Sequence, residues 1–209
     1  MSEQVPLKRK ILIFGILVLI LVVLPLGSWY YLSGGLKWRK QAQAELQDYG
    51  KIRSAMIIYA DGTKEDLLDG KVCVVHYFGA NPDLTTENQK VLDVCERLFN
   101  QFGYKPGAQI DEFRMVMISQ GGTAEFKTYA QTLPSADYVN WVWTGGLGSW
   151  QTILFNSYDL YCQNNDIEPV SHYFALTDTS GTIRRFYNAT DEKELGRMVE
   201  HIALLLPYK

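Results

Sequence analysis

Cysteine is scarce and poorly placed for chemistry. Cys73, Cys95 and Cys162 are the three in 209 residues, and they form no CxxC, CxxxC or zinc-type spacing. That excludes a local dithiol or a cysteine zinc knuckle as the basis of function. Basic charge is also short. From residue 41 onward there are 14 Lys and Arg against 22 Asp and Glu, a balance of −8. Such a balance argues against nucleic acid or anionic lipid as partner of that part. It suits a basic protein partner, or simply a solvated surface. A phosphate cradle is missing too. "TGGLGS", residues 144–149, has three glycines but neither Walker nor dinucleotide spacing. No stretch has the composition of a disordered chain, and no internal repeat is visible.

What is present is apolar: 47% of the chain, with 13% aromatics, ample for one packed domain plus an appendage. The appendage is N-terminal. Residues 11–26 are sixteen without charge, interrupted only by Gly15 and Pro25. Residues 27–32 extend the run to the ~20 that cross a bilayer core. Trp29, Tyr30 and Tyr31 stand at one end, where amphipathic rings prefer the headgroup region. A cleaved signal peptide would share the basic start, Lys8-Arg9-Lys10. This run exceeds a usual signal's apolar region, however, and no small-x-small site follows it. No Cys lies near its end to carry a lipid. The expected layout is a cytoplasmic tail 1–10, a transmembrane helix 11–32, a stem 33–53 and a domain 54–209. Basic residues flank both ends of the span, with Lys37, Arg39 and Lys40 after it. The first group is nearer and its tail is short. The expectation is therefore a single pass through the inner (cytoplasmic) membrane, with the domain in the periplasm or outside.

Periodicity gives the order of elements. Residues 36–48 read as a polar helical stem and 54–59 as a strand, followed by an Asp61-Gly62 turn. Residues 72–78, VCVVHYF, are near-continuously apolar, as in a strand buried on both faces. From Thr86, Val91, Leu92, Cys95, Leu98, Phe99 and Phe102 keep helical spacing until Gly103 and Pro106. Phe113–Ile118 is the next strand. Residues 123–133 are helical and 139–143 form a short apolar run. Ser149 is placed to cap a helix over 150–161. Residues 173–177 and 182–187 flank Ser180-Gly181 as a hairpin. Asp191, Glu192 and Glu194 open a last helix at its positive dipole end, with a stripe of Leu195, Met198, Val199, Ile202 and Leu206. The order is β–β–α–β–α–α–β–β–α. It implies an α/β fold with a mixed sheet flanked by helices, on a thioredoxin-like plan.

From about Asp61 to Leu206 the chain resembles the Sco (SenC) family. The resemblance is carried by "DGTKEDLLDGKVCVVHYF", "MVMIS", "WTGG" and, most closely, "SHYFALTDTSGTIRRFY" at 171–187. It implies a membrane-anchored thioredoxin-like domain that helps to assemble the copper centre of cytochrome oxidase. The family's metal site is a CxxxC after the first core strand, often Cys-Pro-Asp-x-Cys, with a distant His. Laid on that motif, "NPDLT" keeps Pro82 and Asp83. Asn81 stands at the first Cys position, Thr85 at the second, and His172 at the His.

Two thiolates select copper(I) and also run disulfide exchange; an amide and a hydroxyl do neither. His172 alone would hold copper weakly, so no cofactor, metal ligand set or catalytic residue is expected. A site rebuilt from Cys162 and His172 is the remaining metal option. Otherwise His172 is a strand-start histidine bonding a nearby loop. His76 reads as a satisfied core residue and His201 as a surface one. Asn81, before Pro82, suits a turn or a helix cap. Cys73 and Cys95 read as buried thiols, although an oxidising compartment would allow one disulfide among the three. Trp141, Trp143 and Trp150 belong either to an interaction surface or to a core layer under the sheet. Two roles follow, neither enzymatic. One is an assembly factor docking on a cytochrome oxidase. The other is an accessory subunit of a respiratory membrane complex that uses the fold as an interaction module.

Overall fold

The structure, a computed structural model, describes residues 7–52, 56–58, 64–68, 70–79, 82–105, 108–109, 112–119, 123–132, 141–144 and 148–207. The Asp61-Gly62 turn, Asn81, Pro106, Leu133 and residues 145–147 of the TGGLGS loop lie outside the described residues. The chain divides into two units, Met1–Ala44 and Glu45–Lys209.

The first unit is helical: α1 (Leu7–Val18), π-helical turns at Leu19–Val23, and α2 (Leu24–Glu45). Helical bonding continues past residue 32 into the polar stretch read as a helical stem. Gly34-Gly35 weakens the helix by about 1 kcal/mol per glycine relative to alanine. The Lys, Arg, Gln, Ala and Glu that follow are good helix formers and carry it on. Leu12–Glu45 spans 34 residues and is long and apolar enough to cross a membrane; none of its most apolar stretch is buried.

The second unit is built on a five-stranded sheet. Small hairpins pair β1 (Met56–Ile58) with β2 (Lys64–Asp66), and β4 (Tyr104–Lys105) with β5 (Ala108–Gln109). The main strands are β3 (Val72–Tyr77), β6 (Phe113–Ile118), β7 (Trp141–Thr144), β8 (Tyr173–Thr177) and β9 (Ile183–Asn188), in the order β7-β6-β3-β8-β9. β3 lies parallel to β6 and antiparallel to β8; β6 and β7 are parallel, β8 and β9 antiparallel. Helices α3 (Thr86–Leu98), α4 (Ala124–Thr132), α5 (Gly148–Asn165) and α6 (Glu192–Leu205) complete it. A β3-α3-β6 unit followed by a β8-β9 hairpin and a terminal helix is the thioredoxin-like arrangement.

The apolar run at 139–143 becomes the edge strand β7, which four residues are too few to reveal by periodicity. Ser149 lies inside α5 rather than at its cap, because that helix starts at Gly148. The β8–β9 turn is closed by Asp178, whose carboxylate accepts the main-chain N–H groups of Ser180 and Thr182. Gly181 there takes φ +77°, which a side chain would resist.

Each face of the sheet has its own core. Val72, Val74, Met115, Met117, Phe174 and Leu176 pack with α3 and α6 through Val91, Leu92, Cys95, Leu195, Met198 and Ile202. Cys73, Val75, Val116, Ile118, Ala175 and Phe186 pack with Trp150, Leu154 and Tyr158 of α5, and with Tyr49, Ile52 and Leu67. The backbone of 47–52 runs beside β9, bonding from Gln47 N–H to Arg184 O (3.1 Å) and from Tyr49 N–H to Ile183 O (3.0 Å). That covers a sheet edge that would otherwise offer unpaired main-chain groups.

Two charge clusters brace this unit. Arg114, on β6, is fully buried. At the other, Glu45 accepts from Arg185 Nη1 (2.6 Å) and, on both oxygens, from Arg197 (Nε 3.0 Å, Nη2 2.6 Å). His201 Nε2 lies 3.7 Å away. The surface position expected for His201 is wrong: it is buried, and its Nδ1 is 2.7 Å from the Tyr187 hydroxyl. It stands three residues after Met198 and so shares that helix stripe.

The hydrogen bonds from Arg197 hold the Glu45 carboxyl below its usual range against the opposing effect of burial, with the Arg185 charge adding to the lowering. A depressed folded pKa contributes stability that is present above the unfolded pKa and lost as pH falls through the folded one. Glu45→Gln is therefore expected to cost about 2 kcal/mol at pH 7, and much less near pH 3. Denaturant unfolding of the detergent-solubilised chain at the two pH values measures this. An equal loss at both would exclude carboxylate ionisation as the source.

Candidate functional site

The candidate site surrounds the loop that leaves β3. Gly79 follows the strand at φ +96°, a backbone conformation that turns the chain sharply and favours glycine. Pro82 is buried, and its carbonyl accepts the Thr123 N–H at 3.1 Å, which fastens the loop to the start of α4. Asp83 O accepts from Thr85 N–H (2.9 Å) and from Asn88 Nδ2 (2.7 Å). Thr85 is the N-cap of α3: its Oγ1 accepts the Asn88 N–H at 3.1 Å. The cap thus falls on Thr85. Asn81, the sequence candidate, lies outside the described residues.

The first turn of α3 meets His172. Glu87 Oε2 lies 3.4 Å from His172 Nε2. The main chain of His172 is fixed by an Ala189 N–H donating to its carbonyl at 3.0 Å. Glu87 and His172, 85 residues apart in the numbering, are therefore brought together by α3 and the start of β8. His76 joins them from β3. Its ring centre is 6.0 Å from that of His172, 4.4 Å from Phe78 and 5.1 Å from Phe174. Burial pushes the His76 pKa down to about 4, so the ring is neutral at physiological pH.

The donors at the family positions do not fit a thiolate metal site. Thr85 Oγ1 is a neutral hydroxyl already engaged in capping, and no thiol lies in the loop. The three cysteines are free and buried. Burial raises the Cys73 thiol to about 12 and also raises Cys95 and Cys162. A thiol held neutral is a poor nucleophile and a poor ligand. Cys162 packs in the core layer under α5, whereas Phe78 and Phe174, which flank His76, belong to the opposite layer. The Cys162–His172 option thus has its members on different faces. Among the described residues no group of three or more His, Cys, Asp or Glu is placed to hold a metal ion.

Trp141 and Trp150 are 3% and 1% exposed, which makes both core residues rather than surface anchors. Trp143 is partly buried, stacked on Phe78 at 5.7 Å and edge-on to Phe126 at 6.1 Å. Sequence reasoning missed Glu87 and gave His76 no part in the site. The pairing of His76 with Phe174 across β3 and β8 makes His76 and His172 neighbours, and no local pattern carries that register.

No family model matches the chain, and no curated protein does. Among solved structures it is similar to BsSco, a member of the Sco family of cytochrome c oxidase assembly proteins. The identity is 16% and the TM-score 0.47, covering 76% of this chain and 96% of that one. A SCO1/SenC family lipoprotein from Bacillus anthracis gives 17%, 0.45, 74% and 94% in the same order. A thiol:disulfide interchange protein of the DsbE kind from Chlorobium tepidum gives 11%, 0.48, 78% and 99%. Similarity at this level does not separate one branch of the fold from another.

Proposed function

We propose that this chain is a Sco-like, membrane-anchored protein that acts with a cytochrome oxidase during its assembly, by docking rather than by thiol chemistry. The observation that carries the reading is the meeting of the 82–88 segment with His172. Glu87, two residues past Thr85 in the segment that resembles the family's metal loop, lies 3.4 Å from the ring of the histidine that resembles the family's, while Thr85 serves as a helix cap. A loop of that placement without a thiol pair suits a retained recognition surface. It does not suit an oxidoreductase, so the proposal includes no enzyme activity and no thiolate-bound copper. Residues 12–45 supply the anchor. The orientation proposed is N-terminus in the cytoplasm, domain in the periplasm or outside.

Deleting the chain in its source organism is expected to lower the amount of assembled, copper-loaded cytochrome oxidase in the membranes, read from their haem and copper spectra. A copy with all three cysteines changed to alanine is expected to restore it. Unchanged oxidase after deletion would sink the assembly role. Rescue that fails in the cysteine-free copy, although that copy is folded and present, would sink the thiol-independent mechanism. Stoichiometric co-purification with a mature complex would instead favour the accessory-subunit role.

A further inference from the structure

A hollow of about 210 Å³ opens beside β9, between the second half of α5 and the start of α6. Its floor is aromatic, with Tyr158 and Tyr161 of α5 and Phe186 of β9. Ile167 and Val170, from the segment that leads into β8, form a wall, and Asp191 and Glu194 stand on the α6 side. The wall is fastened in place. The Val170 N–H donates to the Tyr158 hydroxyl at 2.9 Å, and the Ile167 N–H to the Cys162 carbonyl at 3.0 Å. A site fixed in advance loses little to ordering when it binds.

Polar capacity is left over around it. Tyr161 is 5% exposed, yet its hydroxyl has no hydrogen-bond partner among the described residues. Asp191 Oδ1 caps α6 by accepting the Lys193 N–H at 2.8 Å, which leaves its second oxygen to accept. Glu194 Oε1 lies 3.7 Å from Arg185 Nη2, a long pairing, because that guanidinium is held by Glu45 at 2.6 Å. Among the described residues no Lys or Arg lines the hollow. An adjoining one shares Ile167 and adds Asp159 and Asp166, again without Lys or Arg.

We propose that this hollow receives an arginine side chain from a basic segment of a partner protein. Size sets the scale of the occupant: the hollow is smaller than the ~300 Å³ at which pockets begin to hold whole small molecules, and suits one long side chain. The three-carbon stem of arginine covers an aromatic floor while its charged head stays at the rim. The head is a planar fork of donors, which meets two carboxylates and a hydroxyl better than the compact ammonium of lysine does. The charge is complementary as well. The chain from residue 41 onward has a balance of −8, which draws in a basic partner, and the adjoining acid-lined hollow lies where the next basic residue of such a segment would fall. The site shares no residue with the 82–88 segment or His172, and the inference stands without the assembly role proposed above.

The test is fluorescence anisotropy of a labelled Gly-Arg-Gly-Arg-Gly peptide, titrated with the full-length chain in non-ionic detergent micelles. Saturable binding with a Kd on the order of 100 μM is expected. A peptide with citrulline in place of both arginines keeps the shape and loses the charge, and should bind at least tenfold more weakly. Glu194→Gln and Asp191→Asn should each weaken binding about fivefold, and Tyr161→Phe about threefold. Asparagine still caps a helix, so Asp191→Asn leaves α6 intact. Glu125→Gln, which removes an exposed acid on α4, should change nothing and so controls for general charge attraction. Equal binding of the citrulline peptide, affinity unmoved by the Asp191, Glu194 and Tyr161 changes, or an equal loss in Glu125→Gln would each overturn the site. A negative result here leaves the deletion experiment untouched, so the two readings fail separately.

Discussion

Arg114→Ala is expected to lower the stability of the folded unit by about 3–5 kcal/mol, the scale for removing one partner of a buried charge cluster. Arg114 is fully buried on β6. Its Nη1 donates to the carbonyls of Asp66 (3.2 Å) and Leu67 (3.0 Å), and its Nη2 to Glu65 Oε1 at 2.8 Å. Lys71 Nζ lies 3.4 Å from the same carboxylate oxygen. Alanine would strip these donors from main-chain carbonyls and leave a cavity as well. Arg114→Met keeps most of the volume without the charge, and is expected to cost roughly 1–2 kcal/mol. Guanidinium unfolding of the full chain in detergent reads both. Equal, small shifts for the two variants would show that neither the guanidinium nor its hydrogen bonds matter.

Trp150→Ala is expected to cost about 3–5 kcal/mol, as truncation of a large core side chain does. Trp150 opens α5 and packs with Leu154 against Val116 and Ile118 of the sheet's second face. Trp143→Ala should cost about 1 kcal/mol, since that ring is partly buried and loses mainly its stacking on Phe78. Thermal unfolding followed by circular dichroism separates the two. A Trp150 variant as stable as wild type would return that residue to the interaction surface.

Much of the secondary structure was readable in advance because it rests on local periodicity. VCVVHY is a strand under any pairing that buries both of its faces, and the spacing from Val91 to Leu98 is helical by itself. The absence of a thiol pair in "NPDLT" was likewise plain from composition. The failures were at boundaries and contacts. Four residues were too few to announce β7. His201 was misplaced because a helical stripe is wider than its most apolar members.

By itself the sequence determined the apolar N-terminal helix, the alternation of strands and helices, and the absence of a thiol pair from the loop after β3. Each is set by residue type or by spacing within a few positions. Only the tertiary structure decided that Glu87, His76 and His172 meet, that Arg114 is a buried cation held by main-chain carbonyls, and that Trp150 is core. The hydrogen bond from His76 to Tyr173 spans 97 residues, and that from Arg114 to Leu67 spans 47. Such contacts depend on which strand lies beside which and in what register, and that is set by burying both faces of the sheet at once.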